Sequence, residues 1–315
     1  KVRAFQRAAA VVSDLDPGEL AARVEAGTLT ELDGIGSSTG AVITDSALGR
    51  PCAYLDRLER ETRIDPGVGA ELAAALRGDC HTHTTWSDGG ASTERMARAA
   101  MALGHEYLVV TDHSPRLTVA HGLSPERLRE QLGEIARLNE QLAPFRILTG
   151  MEVDILVDGA LDLDDALLAQ LDVVVASVHS KLSMPRDEMT RRMVMAVASP
   201  HVDILGHCTG RKVVGRGRPP SSFDAELVFA ACAQFGTAVE INCRPERQDP
   251  PEELLRTALE WGCEISIDTD AHAPGQLEWL PYGADKAVRC GVPTERIVNT
   301  RSADDLLAWT AAHAA

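Results

Sequence analysis

The chain contains no apolar run near the roughly 18 residues that a membrane-spanning helix requires. That excludes a helical membrane anchor within it. No N-terminal targeting segment is legible, although the chain opens at Lys1 rather than Met. It also has no C-x-x-C pair. Its seven cysteines (Cys52, Cys80, Cys208, Cys232, Cys243, Cys263, Cys290) are scattered. An odd, unclustered set reads as reduced thiols of a cytoplasmic protein, not as a disulfide framework or a thiolate zinc clamp. Basic charge is short as well, with 31 Lys and Arg against 47 Asp and Glu and a net charge of −16. A general nucleic-acid coat protein is thereby excluded, because phosphate contacts need a basic surface. A phosphorylated substrate is not, since bound divalent cations reverse the sign inside a pocket. A G-x-S-x-G elbow, a Walker loop and a G-x-G-x-x-G turn are all missing, which removes three competing chemistries.

What is present suits a globular chain. Its 315 residues, 44% hydrophobic and 25% charged, are enough for one large α/β barrel or two ordinary domains. The first 60 or so residues look helical and Ala-rich, with Asp16-Pro17 as a helix start and Gly27 as a stop. The stretch "LDGIGSSTGAVI" (32–43) resembles a helix-hairpin-helix. In that motif two glycines, here Gly34 and Gly36, let backbone N–H groups approach a nucleic-acid phosphate. A tight turn between two packed helices reads the same way. Residues 61–77, with Asp65-Pro66-Gly67, read as a connector. The expected organisation is a small all-α domain over 1–65 and a second domain over 78–315.

From residue 78 short β-branched runs alternate with amphipathic segments. "GDCHTH" (78–83), "YLVVTDH" (107–113), "FRILTGME" (145–152), "LDVVVASVH" (171–179), "VDILGH" (202–207), "TAVEIN" (237–242) and "CEISIDTDAH" (263–272) read as buried parallel strands. Segments 92–104, 124–142, 186–198 and 223–235 read as the helices between them. About seven such units predict a barrel or barrel-like α/β fold of the TIM type.

Each predicted strand ends in a potential ligand: His81 and His83, Asp112-His113, Glu152, His179, His207, Asn242, then Asp268, Asp270 and His272. Active sites of α/β barrels gather at that rim. Six imidazoles (His81, His83, His113, His179, His207, His272) and three carboxylates (Asp88, Glu152, Asp270) make nine donors. A single zinc needs about four. Nine donors suit two or three divalent ions, and a histidine-rich set favours Zn, Mn or Fe. His105, His201 and His313 read as surface histidines, and His121 as either pocket edge or solvent.

The motifs "HTHTTWSDG", "VTDHS", "GMEVDIL", "ASVHS", "GHCTGR", "EIN" and "DTDAH" resemble, in order, those of the polymerase and histidinol phosphatase (PHP) family. The likeness is greatest to the PHP domain that ends bacterial family X DNA polymerases. It covers nearly all of residues 78–310. The resemblance implies a distorted (β/α)7 barrel that hydrolyses phosphoesters with up to three metals. It implies one metal on His81, His83, Glu152 and Asp270, and a second on His179 and His207 bridged by Glu152. Asp88, His113 and His272 would hold a third. A metal-activated hydroxide would then attack phosphorus in line while the cations neutralise the phosphoryl oxygens. His81, His83, Glu152 and Asp270 are the expected catalytic set, and Arg211, Arg247 and Lys181 the expected phosphate grips. The chain departs from the family X pattern at Cys208, where that pattern has Pro, and at Gln248, where it has Leu. Of its basic stretch only Arg211, Lys212, Arg216 and Arg218 survive.

Three functions are compatible with this. The first is a phosphoesterase on nucleotides or nucleic-acid 3′ ends, with a weak DNA contact through Gly34–Gly36. The second is a small-molecule phosphatase, for example on histidinol phosphate. The third is a non-catalytic DNA-associated binding module, against which the complete ligand set argues.

Overall fold

A computed structural model describes residues 2–62, 65 and 67–313. Pro66 of the expected connector and the side chain of His313 lie outside the described residues. The chain forms two compact units, Lys1–Arg63 and Ile64–Ala315.

The first unit holds α1 (Val2–Asp14), α2 (Pro17–Ala26), α3 (Ser37–Ala47) and α4 (Ala53–Thr62). The Asp16 carboxylate accepts the backbone N–H groups of Gly18 and Glu19, Pro17 opens α2, and Gly27 closes it at φ 70°. These are the start and stop signals expected. Gly34 sits at φ 94°, and a Cβ there would come within 2.8 Å of the Arg7 side chain. Only glycine fits the turn that leads into α3. Ala8, Val24, Leu29 and Ile35 form the unit's small core.

In the second unit residues 67–75 of the stretch expected as a connector are structured. Residues 67–69 form a 3-10 turn and Ala70–Ala75 form α5. Thereafter strands and helices alternate. In chain order they are β1 (Gly78–Thr82), α6 (Thr93–Ala102), β2 (Tyr107–Val110), α7 (Pro125–Leu142), β3 (Arg146–Asp154), α8 (Asp165–Leu168) and β4 (Val173–Ser177). Next come α9 (Arg186–Val197), β5 (Ile204–Leu205), α10 (Ala225–Phe235), β6 (Ala238–Asn242), α11 (Glu252–Glu260), β7 (Ile265–Asp268), α12 (Leu280–Cys290) and α13 (Ala303–His313). Residue Asp285 of α12 accepts the backbone N–H of Val68 at 3.1 Å, which ties the 67–69 turn to the barrel.

The seven strands are all parallel and lie in the order β1 to β7. The ring is nearly closed: Thr82 bridges to Ala271, and the His83 N–H donates to the Ala271 carbonyl at 2.8 Å. The architecture is therefore a (β/α)7 barrel, of the kind that the alternating pattern predicts.

Strand residues alternate between two apolar sets. Met151, Val153, Val174, Ala176, Val239, Ile241 and Ile267 pack outward on the helices. Val109, Leu148, Val173, Val175, Ile204 and Ala238 pack inward and are closed off below by Val298, Ala303 and Leu306. Above that plug the inward positions turn polar. Gly206 lies at this level, where a Cβ would sit 2.3 Å from the Ser177 hydroxyl.

Candidate metal centre

The polar layer is built from the C-terminal strand ends. His81 leaves β1, Glu152 lies near the end of β3, and His113, His179, His207, Asp270 and His272 follow β2, β4, β5 and β7. Alternation alone does not place His81 and His83 together, because the β1–β2 register shifts between Asp79 and Thr82. Both nonetheless converge on Glu152. His207 and Asp270 adopt positive φ, at 21° and 53°. Backbone strain of this kind concentrates at functional sites, where the surroundings hold it in place.

Glu152 is the hub, and its side chain is buried. Its Oε1 lies 2.8 Å from His207 Nε2 and 3.1 Å from His179 Nε2. Its Oε2 lies 3.4 Å from His81 Nε2, 3.5 Å from His83 Nε2 and 2.9 Å from His113 Nδ1. Asp270 Oδ1 stands 3.3 Å from His83 Nε2. Asp88 Oδ1 stands 3.5 Å from His113 Nε2 and 3.4 Å from His272 Nε2. All nine expected donors thus lie in one connected constellation.

The donor set fits divalent cations. Buried His81 Nε2 and both nitrogens of His83 have no hydrogen-bond partner. Orphaned buried imidazole nitrogens are costly unless something else satisfies them. Two donors each about 2.0–2.1 Å from a tetrahedral ion stand roughly 3.3–3.4 Å apart. The separations of 3.3 to 3.5 Å between His81, His83, Asp88, Asp270, Glu152 and His272 match that spacing. Three overlapping groups bring their donor atoms within 4.8 Å of one another: His81, His83 and Glu152; His113, Glu152 and His179; and His83, Asp88, His113 and His272.

The electrostatics are those of interlocked anions and imidazoles. Burial works against Glu152's charge, yet His179, His81 and His113 hold it well below the usual carboxylate range. Burial likewise opposes ionised Asp88, but His272 brings it down to about 2. Against burial, Glu152 and Asp154 raise His179 to about 9, whereas burial and then Arg247 press His207 down to about 3.

Two buried carboxylates support the histidines from outside the expected set. Glu240 Oε1 lies 2.6 Å from His81 Nδ1, and Asp154 Oδ1 lies 3.3 Å from His179 Nδ1. Carboxylates behind ligating imidazoles are the usual means of orienting them. Sequence reading missed both, although Glu240 sits two residues before Asn242 and so shares its strand face.

The centre opens into a cavity of about 550 Å³. Lys212, Arg218, Arg244 and Arg247 line it beside Asp88, Glu152 and Asp270, and so do Leu117, Val119, Ala120 and Val214. Arg247 Nε stands 3.2 Å from Asp270 Oδ2, and Arg244 Nη1 stands 3.3 Å from Asp270 Oδ1. Of the three expected phosphate grips, only Arg247 lines this cavity. Arg211 donates instead to the backbone carbonyls of Arg247 and Gln248, and it lines a separate cavity of about 560 Å³ with Lys286 and Tyr282. Lys286 there also donates to the Gln248 carbonyl, at 2.7 Å, and to that of Pro250. Arg211 and Lys286 thus hold the loop that presents Arg244 and Arg247. Lys181 is exposed. His121 is also exposed and lines no part of the metal cavity among the described residues. His105 is only partly exposed, and burial pushes it down to about 4.

Residues 79–242 match the PHP domain family. Over 251 residues the chain is 41% identical to the DNA polymerase/3′-5′ exonuclease PolX of Bacillus subtilis, covering 80% of this chain and 44% of that protein's length. Over 233 residues it is 30% identical to a protein of Thermoanaerobacter sp. named "probable phosphatase", covering 70% of this chain and 89% of the relative. Among solved structures, a histidinol phosphate phosphatase from Lactococcus lactis superposes with a TM-score of 0.48 at 20% identity, over 69% of this chain and 94% of that one. No helix among the described residues is long and apolar enough to cross a membrane.

Proposed function

The chain belongs to the PHP domain family, and from that premise we propose that its barrel hydrolyses phosphate esters of nucleotides or of nucleic-acid 3′ ends. It is a metal-dependent phosphoesterase. In the proposed assignment one ion is held by His81, His83, Glu152 and Asp270. A second shares Glu152 with His179 and His207, and a third lies among Asp88, His113 and His272. Zn, Mn and Fe all suit these donors. When bound, such ions lower the pKa of water and neutralise phosphoryl charge.

The rest of the work falls to the chain itself. Arg247 and Arg244 flank Asp270 from the cavity side, so their remaining N–H groups face a phosphate at the rim. Lys212 and Arg218 extend the cationic wall. Arg211 acts through the loop it braces and not by touching phosphate, and Lys181 has no place in the cavity wall. Buried Glu152, with both oxygens engaged by imidazoles, fixes the spacing of the ligands around it.

The single observation that carries this reading is the Glu152-centred donor set opening beside four cationic side chains. One further feature suits the base of a nucleotide. Among the described residues, the uncharged, non-histidine side chains lining the cavity are the aliphatic Leu117, Val119, Ala120 and Val214. They offer an apolar wall for a base. The 41% identity to an exonuclease-bearing polymerase points the same way. The second reading, a small-molecule phosphatase such as one acting on histidinol phosphate, draws on the relative named "probable phosphatase", 89% of whose length is covered. For the helical unit, we read the Gly34–Gly36 turn as a weak DNA backbone contact.

The test is a side-by-side assay of metal-replete protein on nucleoside phosphates, labelled single-stranded DNA and histidinol phosphate. The proposal expects the highest kcat/KM on a nucleotide or a DNA 3′ end. A preference for histidinol phosphate would establish the second reading instead.

A further inference from the structure

Glu240 lies beneath the metal centre with no accessible surface. It belongs to none of the three groups whose donor atoms could share an ion. Both of its oxygens are already engaged. Oε1 is 2.6 Å from His81 Nδ1, and Oε2 accepts the backbone N–H of His207. Oε2 also accepts from Asn242 Nδ2 at 3.3 Å, and the same amide donates to Asp270 Oδ2 at 3.2 Å. One side chain on β6 therefore reaches groups from β1, from the turn after β5 and, through Asn242, from the turn after β7.

We propose that Glu240 is a positioning residue, setting the tautomer of His81 and the backbone placement of His207 so that both present Nε2 to the metals. This rests on the ligand roles proposed above for those two histidines. A neutral imidazole has one N–H and one lone pair. At 2.6 Å one proton is shared between Nδ1 and the Glu240 carboxyl, and with that proton on Nδ1 a neutral His81 keeps its lone pair on Nε2. Nε2 is then left bare, and it is the buried, hydrogen-bond-free nitrogen 3.4 Å from Glu152 Oε2. The bond to the His207 N–H acts differently. It holds a non-glycine residue at φ 21°, a conformation that an unrestrained chain leaves. That conformation delivers His207 Nε2 to within 2.8 Å of Glu152 Oε1. Glu240 thus serves one histidine on each side of the Glu152 carboxylate.

The test uses the full chain stripped of metal and titrated with Zn(II) against a chromophoric chelator, and separately with Co(II). Glu240→Gln keeps the volume and an acceptor but cannot be matched to both donors as the carboxylate is. Glu240→Asp keeps the charge and withdraws it from His81. Both variants are expected to lose roughly 10- to 100-fold in Zn(II) affinity and to show an altered Co(II) visible spectrum. Their metal-free unfolding temperatures should stay within a few degrees of the parent's. Unchanged affinity and spectrum in both variants would overturn the proposal. So would loss of one whole equivalent with the other sites undisturbed, since that would make Glu240 a ligand. Variants that unfold without metal would assign Glu240 to the fold alone and equally overturn it. A parent that binds no metal would instead fail the ligand assignment itself, which keeps the two failures apart.

Discussion

His207 Nε2 lies 2.8 Å from Oε1 of Glu152, while His81, His83 and His113 face that residue's other oxygen. The carboxylate therefore divides the imidazoles into two sets and touches both. A side chain so placed can link two cations and set their separation, which is where the predictions start.

Protein purified without chelator should contain more than one equivalent of Zn, Mn or Fe by elemental analysis. Chelation should lower phosphoesterase turnover by roughly a hundredfold or more, the scale expected when metal-supplied charge stabilisation is lost. Adding back Zn(II) or Mn(II) should restore it. Purified protein that works equally well metal-free would refute the assignment of these nine donors.

The Lys1–Arg63 unit should be dispensable for the chemistry, because every candidate ligand and cavity cation lies beyond it. A chain starting at Gly67 should hydrolyse p-nitrophenyl phosphate within about threefold of the full chain's kcat/KM, a difference under 1 kcal/mol. Its affinity for DNA should fall if the Gly34–Gly36 turn holds a phosphate. A folded truncation devoid of small-substrate activity would mean that the first unit takes part in the reaction.

His105 gives a pH dependence separate from the metal centre. Its ordinary pKa is about 6.5, and burial pushes it down to about 4 in the fold. The unfolded chain therefore takes up a proton between those values that the folded chain refuses. Its contribution to stability is intact above pH ~6.5 and is lost as pH falls toward ~4. His105→Gln should lower the slope of unfolding free energy against pH in that window, by at most about 3 kcal/mol in total. Superimposable slopes for parent and variant, by denaturant titration at several pH values, would contradict this.

Much of this architecture was readable in advance, for physical reasons. Strands buried on both faces show as β-branched runs, and six of the seven end in candidate ligands. Asp16, Pro17 and Gly27 announced a helix whose caps are entirely local. What stayed hidden depends on contacts between distant segments. Glu240 meets His81 across 159 residues, and nothing around "EIN" announces a carboxylate aimed at another strand's histidine. Of the expected grips, Arg247 lines the cavity, whereas Arg211 and Lys181 do not, for the same reason. Arg211 follows its histidine in a metal-site motif, yet it turns to the carbonyls of Arg247 and Gln248. Arg244 escaped notice although it lies two residues beyond Asn242 and lines the cavity. His105 was expected at the surface, but the turn after α6 folds it partly inward.

The most direct measurement of the central claim is the metal content and turnover of Glu152→Gln, with His113→Asn alongside. Gln keeps the size but removes the charge that both sets of imidazoles and their cations share. The account predicts that Glu152→Gln loses one metal equivalent and roughly a hundredfold or more in kcat, on the order of 3 kcal/mol in the barrier. His113→Asn should cost less, because it leaves the Glu152 carboxylate and its Oε1 contact to His207 in place. Both should remain folded by circular dichroism, since these side chains lie above the barrel's apolar plug. A Glu152→Gln protein with full metal content and near-parental turnover would contradict the account, because Glu152 would then be no bridge.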